Sequence, residues 1–311
     1  MSDQPTQPNA VTDPNLFGWL DMPREAAAVA STFPARTLSL ANPRLFDEPS
    51  KRHDVFLFRA FMDVIGVNCP PYKAQTIGDC VSQGAARSGD LTQCLEIVLG
   101  DAESYHELSS EVVYGLAREE AGMLGSWGDG CFGTAAGKAL AAGAAYPRDE
   151  IGPYDGARAR EYGYRGVPRE IKAAAREHPF SHSTLITTLA EQDAAADNGY
   201  VALSGGMEAF SMTRDANGIC ARTWGSWAHL MACGWARKTI NGAVYYLYHQ
   251  SWGPNVPSGP TPDDIPNTCF WVHESDHARR LARGDTVAIG NFKGFPGRPL
   301  PSAWTNAGWI Q

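Results

Sequence analysis

The stretch AQTIGDCVSQG, residues 74–84, joins a turn-forming segment to a helical pattern. It follows NCPPYK, in which two prolines require an extended or turned backbone. From Cys80 onward, apolar residues recur at helical spacing, at Val81, Ala85, Leu91, Leu95 and Val98. The pattern predicts a helix that begins near Cys80 and ends at Gly100, a residue suited to a C-terminal cap.

Cys80 is the candidate nucleophile of this stretch. A helix N-terminus presents free N–H groups and a partial positive charge, which favour a thiolate and lower the pKa of a cysteine. The N–H of Cys80 and the side-chain amide of Gln75, five positions earlier, can both donate to an oxyanion. The alternative for the same residues is a buried cysteine at a helix start and a surface glutamine.

A cysteine nucleophile needs a base, and the base needs a group that orients it. His229 stands at the head of an apolar strand pattern in GSWAHLMACGW, where an imidazole is costly unless it is hydrogen-bonded or functional. Gln250 ends the aromatic run YYLYHQ, and its amide oxygen can accept from the imidazole. We expect Trp224, Trp227 and Trp252 to shield this bond. A satisfied, half-buried histidine in an ordinary core is the alternative.

The composition argues against several classes of protein. The chain has 311 residues, is 43% hydrophobic and carries a net charge of −8, which does not favour a nucleic-acid partner. It has no apolar run of about 18 residues, so no membrane insertion is expected. Its polar, Pro-rich start lacks the features of a secretory signal, so a cytoplasmic protein is expected. The seven cysteines are widely spaced and form no CxxC pair, which argues against a disulfide framework or a zinc ribbon.

The predicted elements divide the chain into a helical half and a β-rich half. Helical patterns run through REAAAVASTF, ELSSEVVYGLAREEAG and the segment after the Gly-rich turn SWGDGCFG. Beyond about residue 180, HSTLITTLAEQDAAADNG is a further predicted helix, and VHESDH is expected to be a solvated charged loop. The runs YVALSGG, WAHLMACGWAR, AVYYLYHQSWG and TCFWVHE are typical of strands. This order predicts an α+β fold of two lobes with a cleft between them.

Three of these segments, in this order, resemble the papain-like cysteine proteases. QTIGDC resembles the family's oxyanion-glutamine and nucleophile segment, WAHLMACGW its histidine strand, and HQSWGPN its Asn-Ser-Trp-Gly motif. GDGCFGTAAGKALAAGAAYPRDEIGPY resembles its Gly-Cys-x-Gly turn, the helix that follows and the Tyr-Pro loop. The resemblance spans roughly residues 68–275. It implies a papain-like two-lobe fold, with a helical left lobe, a β-rich right lobe and the active site in the cleft between.

Position by position, the resemblance implies that Cys80 is the nucleophile, His229 the base and Gln75 the oxyanion donor, while Gln250 stands at the orienting asparagine position. The implied function is a cysteine peptidase that acts on a peptide or protein substrate. A Cys80–His229 thiolate–imidazolium pair attacks the peptide carbonyl, the imidazolium protonates the leaving amine, and water releases the thioester. This chemistry requires neither a metal nor an organic cofactor.

The expected division of the chain has three parts. Residues 1–66 form an N-terminal arm or lead segment, 67–290 a papain-like catalytic domain with lobes at about 67–178 and 179–290, and 291–311 a C-terminal tail. An inhibitory pro-segment, with self-cleavage near residues 60–70, is the alternative for the first part. The arm and the Trp-containing tail would also suit attachment to a protein partner.

The sequence departs from the family pattern at four places. The glutamine-to-cysteine separation is five where the family usually has six, and Val81 stands where the family usually has tryptophan. Ile77 replaces a half-cystine, which leaves Cys131 single, and Gln250 replaces asparagine. Two alternative functions therefore remain open. One is a catalytically weak or inactive papain-fold structural protein, for example in a phage virion; the other is a non-peptidase acyl transferase or amidase on the same triad.

Overall fold

The computed structural model describes residues 16–71, 74–101, 104–253, 255–291 and 294–305. Residues 1–15 of the expected N-terminal arm, and residues 292–293 and 306–311 of the expected tail, lie outside this part of the chain. Its α-helices in chain order are α1 Pro23–Ala30, α2 Leu38–Ala41, α3 Arg59–Ile65, α4 Cys80–Val98, α5 Ser110–Glu120, α6 Gly133–Ala141, α7 Gly156–Arg165, α8 Arg169–Ala175, α9 Leu189–Asp197 and α10 Glu274–Leu281.

The strands form one seven-stranded antiparallel sheet in the described residues. They are β1 Val55–Phe56, β2 His182–Leu185, β3 Val201–Phe210, β4 Arg222–Ile240, β5 Ala243–His249, β6 Cys269–His273 and β7 Thr286–Gly290. The strand order is β2-β7-β3-β4-β5-β6, and β1 pairs with the far end of β4 through Val55 and Arg237. The predicted α+β class is thus confirmed: helices α4 to α8 precede most of the sheet.

Helix α4 is the central helix and begins at Cys80, as the sequence predicts. It is buried from Cys80 to Glu96, because helices pack on one side of it and the sheet on the other. Gly84 allows the close approach to β4: an added Cβ there would lie 2.7 Å from Leu230 Cδ2 and 3.1 Å from the Ala232 nitrogen. The first turn of α4 is therefore pressed against the strand that carries His229.

The segment predicted as one helix over HSTLITTLAEQDAAADNG is two elements. Its first four residues form the edge strand β2, which pairs with β7, and α9 begins only at Leu189. The Thr188 hydroxyl accepts the Glu191 N–H at 3.1 Å and caps the helix start. The β-branched residues of STLITT favour a strand and a cap over a helix interior, which is why the helical prediction for that part was wrong.

The predicted charged loop VHESDH is also structured. Strand β6 ends at His273 and α10 begins at the next residue, with acidic residues in its first turn and arginines in its last. His277 is fully buried; its two ring nitrogens lie 2.5 Å from the Tyr248 hydroxyl and 3.0 Å from Gln192 Oε1. Hydrogen bonds to these two partners offset the cost of burying the imidazole. The charged residues of VHESDH gave no indication that such partners exist.

Residues 16–66 of the expected lead segment pack against the rest of the chain. Strand β1 extends the sheet beside β4, and Trp19 is 2% exposed. Trp304 lies close to the C-terminal end of the described residues and is buried. Its Nε1 donates to Asp63 Oδ2 at 3.0 Å. No helix among the described residues is long and apolar enough to cross a membrane.

Candidate active site

Cys80 is the first residue of α4 and is completely buried. Its Sγ accepts the backbone N–H of Leu230, the residue after His229, at 3.4 Å. Burial raises the pKa of the Cys80 thiol to about 12, although the N–H groups of Leu230 and Gly18 act in the opposite direction. The expectation of a lowered pKa is wrong for this closed arrangement, because loss of solvent outweighs the helix terminus.

His229 lies on β4, opposite Gly206 of β3, and is also completely buried. Its ring packs against that of Trp252, with ring centroids 4.5 Å apart and planes tilted by 35°. Neither ring nitrogen has a hydrogen-bond partner in the described part of the chain. Burial, with the charge of Arg280, lowers the pKa of His229 well below 6.5, so the imidazole is neutral. The resting pair is therefore a thiol and a neutral imidazole that are not hydrogen-bonded to each other.

Gln250, predicted to orient His229, is directed at its own segment. Its Oε1 accepts the Trp252 N–H at 2.9 Å, and its Nε2 donates to the Asn255 carbonyl at 2.9 Å. The amide thus closes the turn after β5 and does not bond to the imidazole. A glutamine has one more rotatable bond than asparagine, and here that extra reach brings the amide back to the backbone two residues on.

Gln75, predicted to serve the oxyanion, is joined to the same turn. The Ser251 hydroxyl donates to Gln75 Oε1 at 2.6 Å, and the Gln75 N–H donates to the Ser251 carbonyl at 3.2 Å. Its Nε2 donates to the Ile77 carbonyl at 3.1 Å. The two predicted amides therefore sit on either side of Ser251 and hold the nucleophile loop against the segment that carries Trp252.

Residues Leu16–Leu20, the N-terminal strap, lie directly over Cys80. The N–H groups of Gly18 and Trp19 donate to the Ala228 carbonyl at 3.2 and 3.0 Å. On the other side, Leu20 N–H donates to the Cys131 carbonyl at 2.8 Å and Cys131 N–H donates to the Gly18 carbonyl at 2.9 Å. The strap therefore joins the segment before His229 to the segment before α6.

Gly18 is required by the closeness of this contact. A Cβ at Gly18 would lie 1.8 Å from the Gly78 carbonyl oxygen, and one at Gly78 would lie 2.6 Å from the Phe17 carbonyl oxygen. Two glycines thus face each other two residues before the nucleophile. Because no side chain separates the two backbones, the strap shields Cys80 from solvent.

Aromatic side chains anchor the strap at both ends. Trp19 donates through Nε1 to Asp285 Oδ2 at 2.7 Å, and the Arg283 guanidinium lies 5.6 Å from its ring. Trp252 donates through Nε1 to the Leu16 carbonyl at 2.9 Å, and Phe17 packs edge-on against it. Of these residues, only Trp252 was expected at the site from the sequence; Phe17, Trp19 and Asp285 were not. The signal was LFGWL, an apolar and aromatic run at residues 16–20 in an otherwise polar, Pro-rich start.

The expected tryptophan cluster is only partly formed. Trp227 and Trp252 pack edge to face with ring centroids 4.8 Å apart, and Trp252 covers His229. Trp224 is 98% exposed on the outer part of β4 and takes no part in this cluster. Within the described residues, no group of three or more histidine, cysteine or acidic side chains is arranged to hold a metal ion.

Comparison with known proteins identifies the fold. No family model and no curated sequence matches the chain. The solved structures similar to it are papain-like cysteine proteases, so the chain has the papain-like fold.

Three of these structures define the extent of the similarity. Xylellain, a cysteine protease from Xylella fastidiosa, is 15% identical with a TM-score of 0.54, over 92% of this chain and 96% of that one. The proform of the ragweed pollen cysteine protease Amb a 11 is 14% identical with a TM-score of 0.55, over 92% and 72%. Procathepsin B from Trypanosoma congolense is 8% identical with a TM-score of 0.52, over 89% and 93%. At these identities the similarity supports the fold alone.

Proposed function

We propose that the chain is a cysteine peptidase whose active site is covered by its own N-terminal strap. One observation carries the proposal. Cys80 opens the buried central helix of a papain-like fold, and its sulfur contacts the backbone beside His229. These are the elements from which a thiol nucleophile and an imidazole base are assembled in that fold.

The chemistry requires the strap to leave. Water reaching the site removes the desolvation that now holds Cys80 as a thiol and His229 as a neutral imidazole. The proton can then pass from Cys80 to His229, and the thiolate attacks a peptide carbonyl. The Cys80 N–H and the Gln75 amide donate to the oxyanion, His229 protonates the amine that leaves, and water hydrolyses the thioester.

The strap supports a closed, self-covered form of the enzyme. It fills the space over Cys80 with backbone that is hydrogen-bonded on both sides, at Ala228 and at Cys131. Of the three structures compared above, one is a protease in its proform and another is a procathepsin. We keep the division into a lead segment over 1–66, a catalytic domain over 67–290 and a tail over 291–311 as part of this proposal.

Peptide-library cleavage tests the proposal. We expect Trp19→Ala, which loosens the strap, to give cleavage that is absent from the double variants with Cys80→Ala or His229→Ala. Mass spectrometry of the same samples over time would show whether the chain also cuts its own lead segment. Cleavage that survives Cys80→Ala would refute the assignment, and so would the absence of any cleavage once Cys80 can be labelled by an epoxide.

A second candidate is a papain-fold protein without peptidase activity, which serves as a structural or interaction module. The bonds of Gln250 favour it: Gln250 is bonded to Trp252 and Asn255, so His229 has no orienting partner in the described residues. Rapid labelling of Cys80 without any cleavage in the Trp19→Ala variant would be the expected result for this candidate.

A further inference from the structure

Asp79 is a buried acid that the proposed mechanism does not use. It stands between Gly78 and Cys80 at the N-cap of α4 and is completely buried. Its backbone carbonyl accepts the Ser82 and Gln83 N–H groups at 2.9 and 3.1 Å, but its side chain does not cap the helix. The carboxyl therefore lies next to the nucleophile without capping the helix.

The hydrogen bonds of this carboxyl are concentrated on one oxygen. Oδ2 accepts from Gln83 Nε2 and from the Tyr154 hydroxyl, both at 3.0 Å. Oδ1 is buried and has no hydrogen-bond partner among the described residues. Tyr154 also accepts the Thr76 N–H at 3.3 Å, so Asp79 and the loop before Cys80 share one anchor.

The charges around Asp79 leave it without a cation of its own in the described residues. The negative charge of Glu111, on α5, raises the pKa of Asp79. Glu111 is itself paired with Arg148 and Arg158, at 2.7 and 2.8 Å. Two further titratable groups interact with Asp79. They are the Tyr114 hydroxyl on α5 and the thiol of Cys80, the next residue in the chain.

The remaining nearby acid is Asp129, which binds the Gly78 N–H at 3.3 Å and pairs with Arg160 at 2.7 Å. Burial raises the pKa of Asp79 to about 7, although the bonds from Gln83 and Tyr154 lower it. Asp79 therefore changes charge near neutral pH while the groups around it keep theirs.

We propose that Asp79 is a positioning residue that controls the thiolate of Cys80: uncharged, it permits the thiolate, and ionised, it opposes it. Two negative charges close to each other disfavour each other, and the Asp79 carboxyl is covered by Gln83 and Tyr154, which lie outside the strap, so an ionised Asp79 holds Cys80 protonated in the open form as well. The inference rests on the proposed function, because only a nucleophilic Cys80 gives this control a purpose.

The test is the pH profile of iodoacetamide alkylation at Cys80 in the full-length chain, followed site by site by mass spectrometry from about pH 5.5 to 9. Below pH 7, Asp79 is uncharged, so wild type and Asp79→Asn should react at a constant ratio. Above pH 7 the variant should gain progressively, reaching about 10- to 100-fold, because a nearby like charge raises the pKa of a thiol by roughly one to two units. A ratio that does not change with pH would overturn the proposal.

Cys131 provides the internal control, since it also lies under Gly18 and reports opening of the strap. Its alkylation ratio should stay flat; a parallel rise at Cys131 means altered opening and overturns the proposal. Tyr154→Phe provides a second variant that retains the acid. The variant removes one hydrogen-bond donor from the Asp79 carboxyl, so the pH at which the Cys80 profile bends should be higher than in wild type. If that pH does not change, the proposal is overturned, even if Asp79→Asn does not fold.

These outcomes are independent of peptide cleavage. A rising ratio in a chain that cuts no peptide keeps the control of Cys80 and refutes only the peptidase. A flat ratio in a chain that cuts peptides refutes only the role of Asp79.

Discussion

Gly18→Ala should uncover Cys80. The new methyl group would lie 1.8 Å from the Gly78 carbonyl oxygen and 2.2 Å from its carbon, where ordinary contacts begin near 3.4 Å. The obstacle is backbone, which cannot rotate away, so the strap itself must move. Overpacking of this kind costs about 1–3 kcal/mol, and we expect the upper part of that range.

The cost falls on the closed form alone, because a detached strap has room for the methyl group. At about 1.4 kcal/mol per factor of ten, a cost of about 2–3 kcal/mol raises the population with an open strap roughly 30- to 150-fold. The alkylation rate of Cys80 by iodoacetamide should rise by the same factor, since the reagent reaches the sulfur only through the open form. Peptide mapping by mass spectrometry measures this rate for each cysteine separately.

Gly297→Ala is the matched control, because a Cβ there meets nothing closer than 3.7 Å and its rate should equal that of wild type. Cys94 and Cys269 are buried in a hydrophobic cluster that contains no strap residue, and they should remain unlabelled. An unchanged rate at Cys80 in Gly18→Ala would refute the argument. Equal gains at Cys94 and Cys269 would also refute it, since they would indicate global unfolding.

Three further changes test the packing around the site. Trp19→Ala removes a buried indole and should lower the free energy of unfolding by about 3–5 kcal/mol, measured in urea. Glu111→Gln leaves the charges of Arg148 and Arg158 without their buried partner, and should cost about 3 kcal/mol in the same assay. Burial lowers the pKa of His277 from 6.5 to about 3, so the folded chain binds fewer protons than the unfolded chain in that interval. Stability should therefore fall as the pH drops from 6.5 towards 3, and His277→Gln should show a shallower fall over the same range.

The fold was largely predictable because its evidence is local. A helix starting at Cys80, a strand carrying His229 and a strand leading up to Gln250 follow from short runs of periodic sequence, and the structure contains them. The papain-like fold then follows from their order. Strand β7, Thr286–Gly290, was not predicted, since five residues of TVAIG give too little pattern to separate a strand from a buried turn.

The contacts within the site could not be predicted in the same way. The sequence identifies Gln75 and Gln250 as amides near the nucleophile and the base, but an amide can bond to whichever polar groups lie closest. Here those groups include the Ser251 hydroxyl, which donates to Gln75, and the Trp252 N–H, which donates to Gln250. The strap was beyond prediction for another reason. Trp19 meets Asp285 across 266 positions, and no local periodicity carries that information.

The wide separation between the strap and its partners also bears on how the molecule is made. A ribosome adds roughly 5–20 residues per second from the N-terminus, so the strap emerges well before its contacts at Ala228 and Asp285. Such long-range contacts form late in folding, because closing a long loop costs entropy before the contacts repay it. The nascent chain therefore passes through an interval in which Cys80 has been synthesised and its cover cannot yet close.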